Sequence, residues 1–467
     1  MLTKETAGDT FERIKKLSSA DEIEVLFSGG RFALTRFANN TIHQNVAEEN
    51  YVVSVRTVFG GRTARAFTNK FDDESLRQVV RSSESLAKLQ HPDPDLLPMP
   101  DSLEAEGSAG GGARATYATS RHFAGTAAIT PELRAEGVGK IVGVAERHKL
   151  TTAGVFSSAD SLEGIFNSRG LGNWHTQTLA EVSITMIGAD SSGWQKANSP
   201  DVKNLDPLAL AETAARKALE SARPREISAG KYTVILEPAA VLDIVGFMFW
   251  DYSGMSILDQ RSFLTGRIGT KLFGDNISIW DDAGHPLQTG SPFDGEGVRR
   301  QRVGLIENGV VKRVVYARAT AERMKRSEYK DSVGPVEATG HGFALPNEMG
   351  EIPQNIVFAP VSDPQTVEQM IASTERGVLV TRLWYIREVE PFEKMLTGMT
   401  RDGTFYVENG RVQGGVRNFR FNEGLIHMLS SVESMSVPVR ACGEESFDMV
   451  VPAMKVKEFN FTEVTKF

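Results

Sequence analysis

The sequence predicts an α+β protein: an N-terminal α/β module with antiparallel strands, then a strand-dominated, barrel-like C-terminal domain. Three observations predict it. From Glu22 to Asn69 the chain alternates apolar and polar residues between Gly and Asn pairs, the period-two pattern of half-buried antiparallel strands. Helical periodicity marks only a few segments, concentrated in the first half of the chain. From about residue 227 strands dominate, and Glu-Asn-Gly recurs between alternating runs at 304–316 and 404–416, where Asn308-Gly309 and Asn409-Gly410 suit type I′ turns. The 43 glycines exceed the average share of about 7% and fit a chain with many tight turns.

At 467 residues the chain exceeds the roughly 250–300 that one core serves, so it should divide. An N-terminal α+β domain is expected over 1–90. It opens with an amphipathic helix at about 6–18, continues in hairpins that turn at Gly60-Gly61, and closes with a helix at DDESLRQVVRSSESLAKL, capped by Asp72 or Asp73. Residues 91–116, rich in Pro and then Gly, read as a linker. Its Gly110-Gly111-Gly112 could cradle a phosphate, but no GK[ST] follows. A middle α+β domain spans 117–226, with helices at PELRAEGVGKIVGVAERHK and DPLALAETAARKALESA around two strands; Gly137 and Gly139 interrupt a helical pattern and make no dinucleotide turn. The C-terminal β-rich domain takes 227–467.

Composition excludes several functions. A net charge of −8 without a Lys/Arg run lacks the footprint of a nucleic-acid binder. No run of about 18 apolar residues offers a membrane span, and the polar N-terminus lacks a signal-peptide core, so a cytoplasmic protein is expected. One cysteine, Cys442, forms neither an internal disulfide nor a CxxC motif. The eight histidines are dispersed, with no HExxH, and no GxSxG elbow is present. Asp281, Asp282, Asp294 and Glu296 fall in expected loops, as oxygen ligands for a hard cation or, more simply, as solvated turn residues. His285 follows in the DDAGH loop, and Asp402 reads as a turn former beside Gly403.

One stretch resists a bland account. EPAAVLDIVGFMFW, residues 237–250, opens like a buried helix yet carries a carboxylate, Asp243. Its surroundings carry a resemblance. RFANNTIHQNVAEEN (36–50), SFLTGRIG (262–269), DNISIWDD (275–282), SPFDGEGV (291–298), LVTRLWY (379–385), TRDGTFYVENG (400–410) and the closing VVPAMKVKEFNFT together resemble the TldD/PmbA family, known as modulators of DNA gyrase, in order over nearly the whole chain.

The resemblance implies a relationship to zinc peptidases whose metal sits on a helix with H-E-x-x-x-H, joined by a C-terminal Cys. Aligned on the start of the helix and on Gly246, that motif is replaced here by Leu242-Asp243-Ile244-Val245-Gly246-Phe247, so Leu242, Asp243 and Phe247 stand for His, Glu and His. Leu and Phe offer no lone pair, and Asp243 with Cys442 falls short of three protein ligands. No metal or other cofactor is therefore expected in this chain, and Cys442 stands as a relic ligand or a packed core residue. The pattern is similar to the PmbA (TldE) branch, whose resemblance implies a non-catalytic subunit paired with a TldD-like catalytic subunit that holds the zinc, the pair enclosing an extended peptide. Arg382 and Arg401 are candidates for peptide carbonyls or a terminal carboxylate, Trp384 and Tyr385 for apolar packing; the same four could instead be core and ion-pair residues. Two other readings stay open: a hydrolase with a different centre, around Asp243, Cys442 or His285, and a homodimeric peptide-binding scaffold.

Overall fold

The computed structural model describes residues 2–102 and 121–465. The first helix, α1 (Lys4–Leu17), starts slightly before its expected position because Thr3 caps it, its side chain accepting from the Thr6 amide. Ala7, Phe11 and Ile14 form its buried stripe. Strands β1 (Glu22–Ala38), β2 (Thr41–Phe59) and β3 (Arg62–Thr68) follow, with Gly60-Gly61 between the last two. Helix α2 (Asp73–Leu89) is capped by Asp72.

Helix α3 (Pro131–Arg147) leads into β4 (Thr151–Asn167), β5 (Gly172–Ile187) and β6 (Ser192–Ser199), and α4 (Pro207–Glu220) closes this part. The six strands form one antiparallel sheet in the order β3-β2-β1-β4-β5-β6. The seam is β1 against β4, from Glu24 opposite Asn167 to Phe37 opposite Gly154. Segments 1–90 and 117–226 thus each give three strands to a single sheet. Gly29 and Gly30 lie in the middle of β1 with φ of 130° and 155°; a Cβ on either would come within 2.1 Å of a carbonyl oxygen on the neighbouring strand, of Asn50 and Asp160 respectively. The described part of the expected linker packs on this body: Met99 is buried and its amide donates to Glu22. The glycine run 110–112 lies outside the described residues.

The C-terminal part begins with β7 (Gly230–Leu236) and the buried helix α5 (Pro238–Val245), which passes into a 3-10 turn over Gly246–Asp251. Strands β8 (Ile279–Asp281), β9 (Val303–Glu307), β10 (Val310–Val311) and β11 (Ile356–Phe358) contribute to a second sheet. Then come β12 (Arg376–Glu390), β13 (Met395–Glu408), β14 (Arg411–Gly415), β15 (Phe419–Gly424), β16 (Val432–Met435), β17 (Val439–Ala441), β18 (Met449–Val451) and β19 (Met454–Val464). The second sheet runs β10-β9-β8-β11-β18-β17. The third runs β12-β7-β19-β15-β13-β14, and β12 also pairs with β13, which closes five strands into a barrel. Closure removes the exposed edges of those strands. Val234, Leu236, Val380, Phe419, Phe421 and Phe461 share the largest core with α5, while Ile235 and Leu379, one residue out of step, pack in a separate cluster with Met370 and Phe405. Both Asn-Gly pairs are turns with positive φ at each residue, 48° and 78°, then 50° and 74°. They join β9 to β10 and β13 to β14, in different sheets.

Candidate functional site

Helix α5 is apolar on all sides, as a helix enclosed by core must be. Leu242 is fully buried and Phe247 packs against the same core. Between them Asp243 is also fully buried, and its carboxylate is held by backbone: Oδ1 accepts from the amides of Glu444 and Glu445, both at 3.1 Å, and Oδ2 from Leu383 at 3.3 Å. Asp243 thereby ties β12 to the loop after β17. Gly443 makes that approach feasible, since a Cβ there would stand 2.3 Å from Asp243 Oδ1. Burial pushes the Asp243 carboxyl up to about 6, against the pull of the three amides and of Arg382.

These residues do not fit a catalytic zinc. Leu242 and Phe247 carry no donor atom, and the Asp243 oxygens already serve three amides. Cys442 is 2% exposed, and burial raises its thiol far above the ordinary range, disfavouring the thiolate that binds metal. Among the described residues no three His, Cys, Asp or Glu side chains come together as a metal site. Beside Cys442, Lys196 on β6 pairs with Glu181 at 3.4 Å and Glu444 at 3.5 Å and donates to the Gly443 carbonyl at 3.2 Å. Arg440 joins Asn198 to Asp448. A charged seam between the sheet and the C-terminal part thus surrounds the lone thiol.

Three of the four peptide-binding candidates meet in one stack. Arg382 is 6% exposed and donates through Nε to Asp402 Oδ2 at 2.9 Å, with a second, shorter contact from the same guanidinium. Its guanidinium carbon lies 4.9 Å from the Trp194 ring centre and 5.5 Å from that of Trp384; Arg401 covers Trp384 at 4.8 Å. Arg382 is therefore committed within the protein, whereas Arg401, although 3.6 Å from the same Asp402 carboxylate, is half exposed. Tyr385 departs from the group. It sits at an irregularity in β12 with φ 54°, is 53% exposed, and stacks under Arg387 at 4.4 Å.

The other carboxylates correct the expectation of solvated turns. Asp281 is fully buried in β8, accepting from the amides of Gln354 and Asn355 at 2.7 and 2.8 Å and pairing with His341 at 3.0 Å; burial would raise its carboxyl, but these partners together hold it below its ordinary value. Asp294 and Glu296 are buried too. Asp294 gathers the amides of Glu296, Val298 and Gly342, and Glu296 accepts from the Arg318 amide. Burial, then the charge of Asp294, raises the Glu296 carboxyl. Only Asp282 has the expected partial exposure, beside Arg302 at 3.3 Å. His285 is half-buried and accepts from the Leu287 amide at 3.2 Å. Asp402 lies within β13 at a bulge opposite β12, with φ 52°, rather than in a turn.

Sequence reasoning missed Trp194, Lys196 and Glu445. Glu445 accepts from the Tyr385 and Ile386 amides at 2.7 and 3.1 Å, continuing along β12 what Asp243 begins at Leu383. Its only signal was the adjacency of ACGEE to the cysteine.

Comparison with known proteins agrees with this architecture. Residues 229–463 match the model of the PmbA/TldA metallopeptidase C-terminal domain, 23–87 that of domain 1 and 134–222 that of the central domain. The chain belongs to the PmbA/TldD family. Across the family, it is 20% identical to the metalloprotease PmbA of Escherichia coli O157:H7, over 97% of this chain and 96% of that one. Among solved structures, TldE of Thermococcus kodakarensis superposes with a TM-score of 0.82 at 19% identity, covering 98% of this chain and all of that one. A Thermotoga maritima protein described as a proposed modulator of a DNA gyrase gives 0.81 at 19%, with the same coverage. At such identities the structural likeness speaks for the fold. The PmbA/TldD fold here carries Leu242 on the helix that follows β7 and Phe247 in the 3-10 turn after it.

Proposed function

We propose that this chain is a non-catalytic, PmbA/TldE-like subunit that pairs with a zinc-bearing TldD-type subunit and helps it hold extended peptides for cleavage. The observation that carries the reading is the state of α5 and the 3-10 turn after it: Leu242 is buried in apolar core, Phe247 packs against it, and the one carboxylate between them accepts from three backbone amides. A zinc hydrolase needs three protein ligands and an open coordination position, and this helix offers neither.

What the subunit contributes is then shape and grip. Extended peptides are held by main-chain pairing along strand edges, with side-chain pockets adding selectivity. With Arg382 committed to Asp402 and Trp384 covered by Arg382 and Arg401, the grip falls to half-exposed Arg401 and exposed Tyr385. A reducing, cytoplasmic setting belongs to the proposal, and the buried free thiol of Cys442 supports it. No helix in the described residues is long and apolar enough to cross a membrane.

Elemental analysis of the purified, untagged chain tests this directly. The expected result is far less than one zinc per chain and no peptide turnover until a TldD-type partner is added. About one tightly held zinc per chain, or turnover by the chain alone, would overturn the proposal.

A further inference from the structure

A cleft of about 760 Å³ opens where the turn between β5 and β6 meets the end of α4 and the bulge in β13. Three arginines line it, Arg223, Arg401 and Arg417, on a chain whose net charge is −8. Two carboxylates stand on its wall, Asp402 also 3.6 Å from the Arg401 guanidinium. Asp402 is held by Arg382 and by the Ser192 hydroxyl at 2.7 Å, and Asp190 accepts from the Arg223 amide at 3.2 Å.

Arg401 is presented ready-made. The order Trp194, Arg382, Trp384, Arg401 alternates ring and guanidinium at separations of 4.9, 5.5 and 4.8 Å, so the last member is held over an indole while half of its side chain remains exposed. Holding an arginine in place beforehand lowers the entropy lost when it binds an oxyanion. Asn418 adds a directed donor. The Thr400 hydroxyl accepts from the Phe419 amide, so its own hydrogen goes to Asn418 Oδ1 at 3.2 Å; Thr404 donates to the same oxygen at 2.9 Å. That fixes the Asn418 carbonyl inward and leaves its NH2 as a donor. Arg417 is loosely paired, 3.9 Å from exposed Glu226.

We propose that this cleft binds a small polyanion carrying two or more carboxylate or phosphate groups. Guanidinium forks and an amide NH2 match oxyanions by charge and geometry, and of the two carboxylates on the wall Asp402 is neutralised by Arg382. The site goes beyond the peptide-binding reading: Arg223, Arg417 and Asn418 play no part in that reading, and occupancy requires neither a peptide nor a partner subunit.

The test is isothermal titration calorimetry on the full chain at low ionic strength, with citrate and pyrophosphate as separate probes. Saturable binding of at least one probe, one molecule per chain, is expected, and the tighter probe identifies the preferred oxyanion. Arg401→Ala and Arg417→Ala should each weaken binding roughly 10-fold or more, as expected for a lost charge-assisted hydrogen bond. Arg216→Ala, an exposed arginine on α4 paired with Glu220 and outside the cleft, should leave it unchanged. Because Arg401 lies on Trp384, binding should also shift tryptophan emission, and Trp384→Phe should remove that shift while binding persists. Absence of saturable binding by both probes, or equal weakening by Arg216→Ala, would overturn the proposal.

Discussion

Asp243 shows how one residue can keep its place in a motif and lose its chemistry. Its neighbours at 242 and 247 were legible as apolar from the sequence, and so was the loss of donors. The partners of Asp243 were not legible, because they are backbone amides 140 and about 200 residues away. The carboxylate's raised pKa has a definite sign in stability. Its folded value of about 6 lies above an unfolded value near ~3.9, so between these the folded state binds more protons than the unfolded chain and stability falls as pH rises. The contribution is fully present below about pH 4 and lost as pH rises through 6. Measured against Asp243→Asn, which does not titrate, wild-type stability should decline across that window by on the order of 3 kcal/mol and level off above it. Urea denaturation of both proteins at pH 4 to 7 checks this. Parallel profiles would show that the carboxyl titrates normally.

At the scale of elements, the sequence was most informative where local chemistry decides. Asp72 starts a helix, Gly60-Gly61 and the two Asn-Gly pairs turn hairpins, and all of these hold in the structure, whereas the Thr3 cap that starts the first helix before residue 6 was not read. It was least informative where a strand deviates from regularity. Asp402-Gly403 resembles a turn signal but makes a bulge inside β13, because residues on both flanks continue to pair with β12. Tyr385 marks the matching irregularity in β12, a left-handed backbone that no aromatic residue prefers. Its side chain is mostly exposed, so little packing opposes a replacement. Tyr385→Gly should therefore be neutral or stabilising by up to about 1 kcal/mol, whereas β-branched Tyr385→Val should cost about 1 kcal/mol or more. Thermal unfolding of the two variants distinguishes a strained backbone from a side chain that matters for folding: the second case would destabilise both alike.

At the scale of the whole molecule, the strand-rich class and the barrel-like C-terminal domain were legible in patterning, but the partners of each strand were not. The β1–β4 seam joins residues more than a hundred positions apart, and the parallel pairing of β12 with β7 spans a similar interval. The buried carboxylates were misread for the same reason. Their loops look polar in sequence, and only tertiary packing supplies the amides and cations that let them be enclosed. One such network fastens the sheet to the C-terminal part. Glu24 on β1, 1% exposed, pairs with Arg56 at 3.0 Å and Arg65 at 2.6 Å, and Arg65 also donates to the Leu345 carbonyl at 2.7 Å. Arg65→Ala cuts that crossing and leaves Glu24 with Arg56, so the carboxylate keeps one cation while the carbonyl of Leu345 loses its donor. Leaving this half-buried carbonyl without its donor should cost up to the roughly 1–3 kcal/mol of a fully buried group. If the two parts unfold as one unit, the loss should appear as a lower protection of slowly exchanging amides in the core of the sheet and in the barrel alike. Hydrogen exchange resolved by peptide measures both at once: a loss confined to β1–β3 would mean that the sheet opens independently and that Arg65 fastens two bodies without coupling their stability.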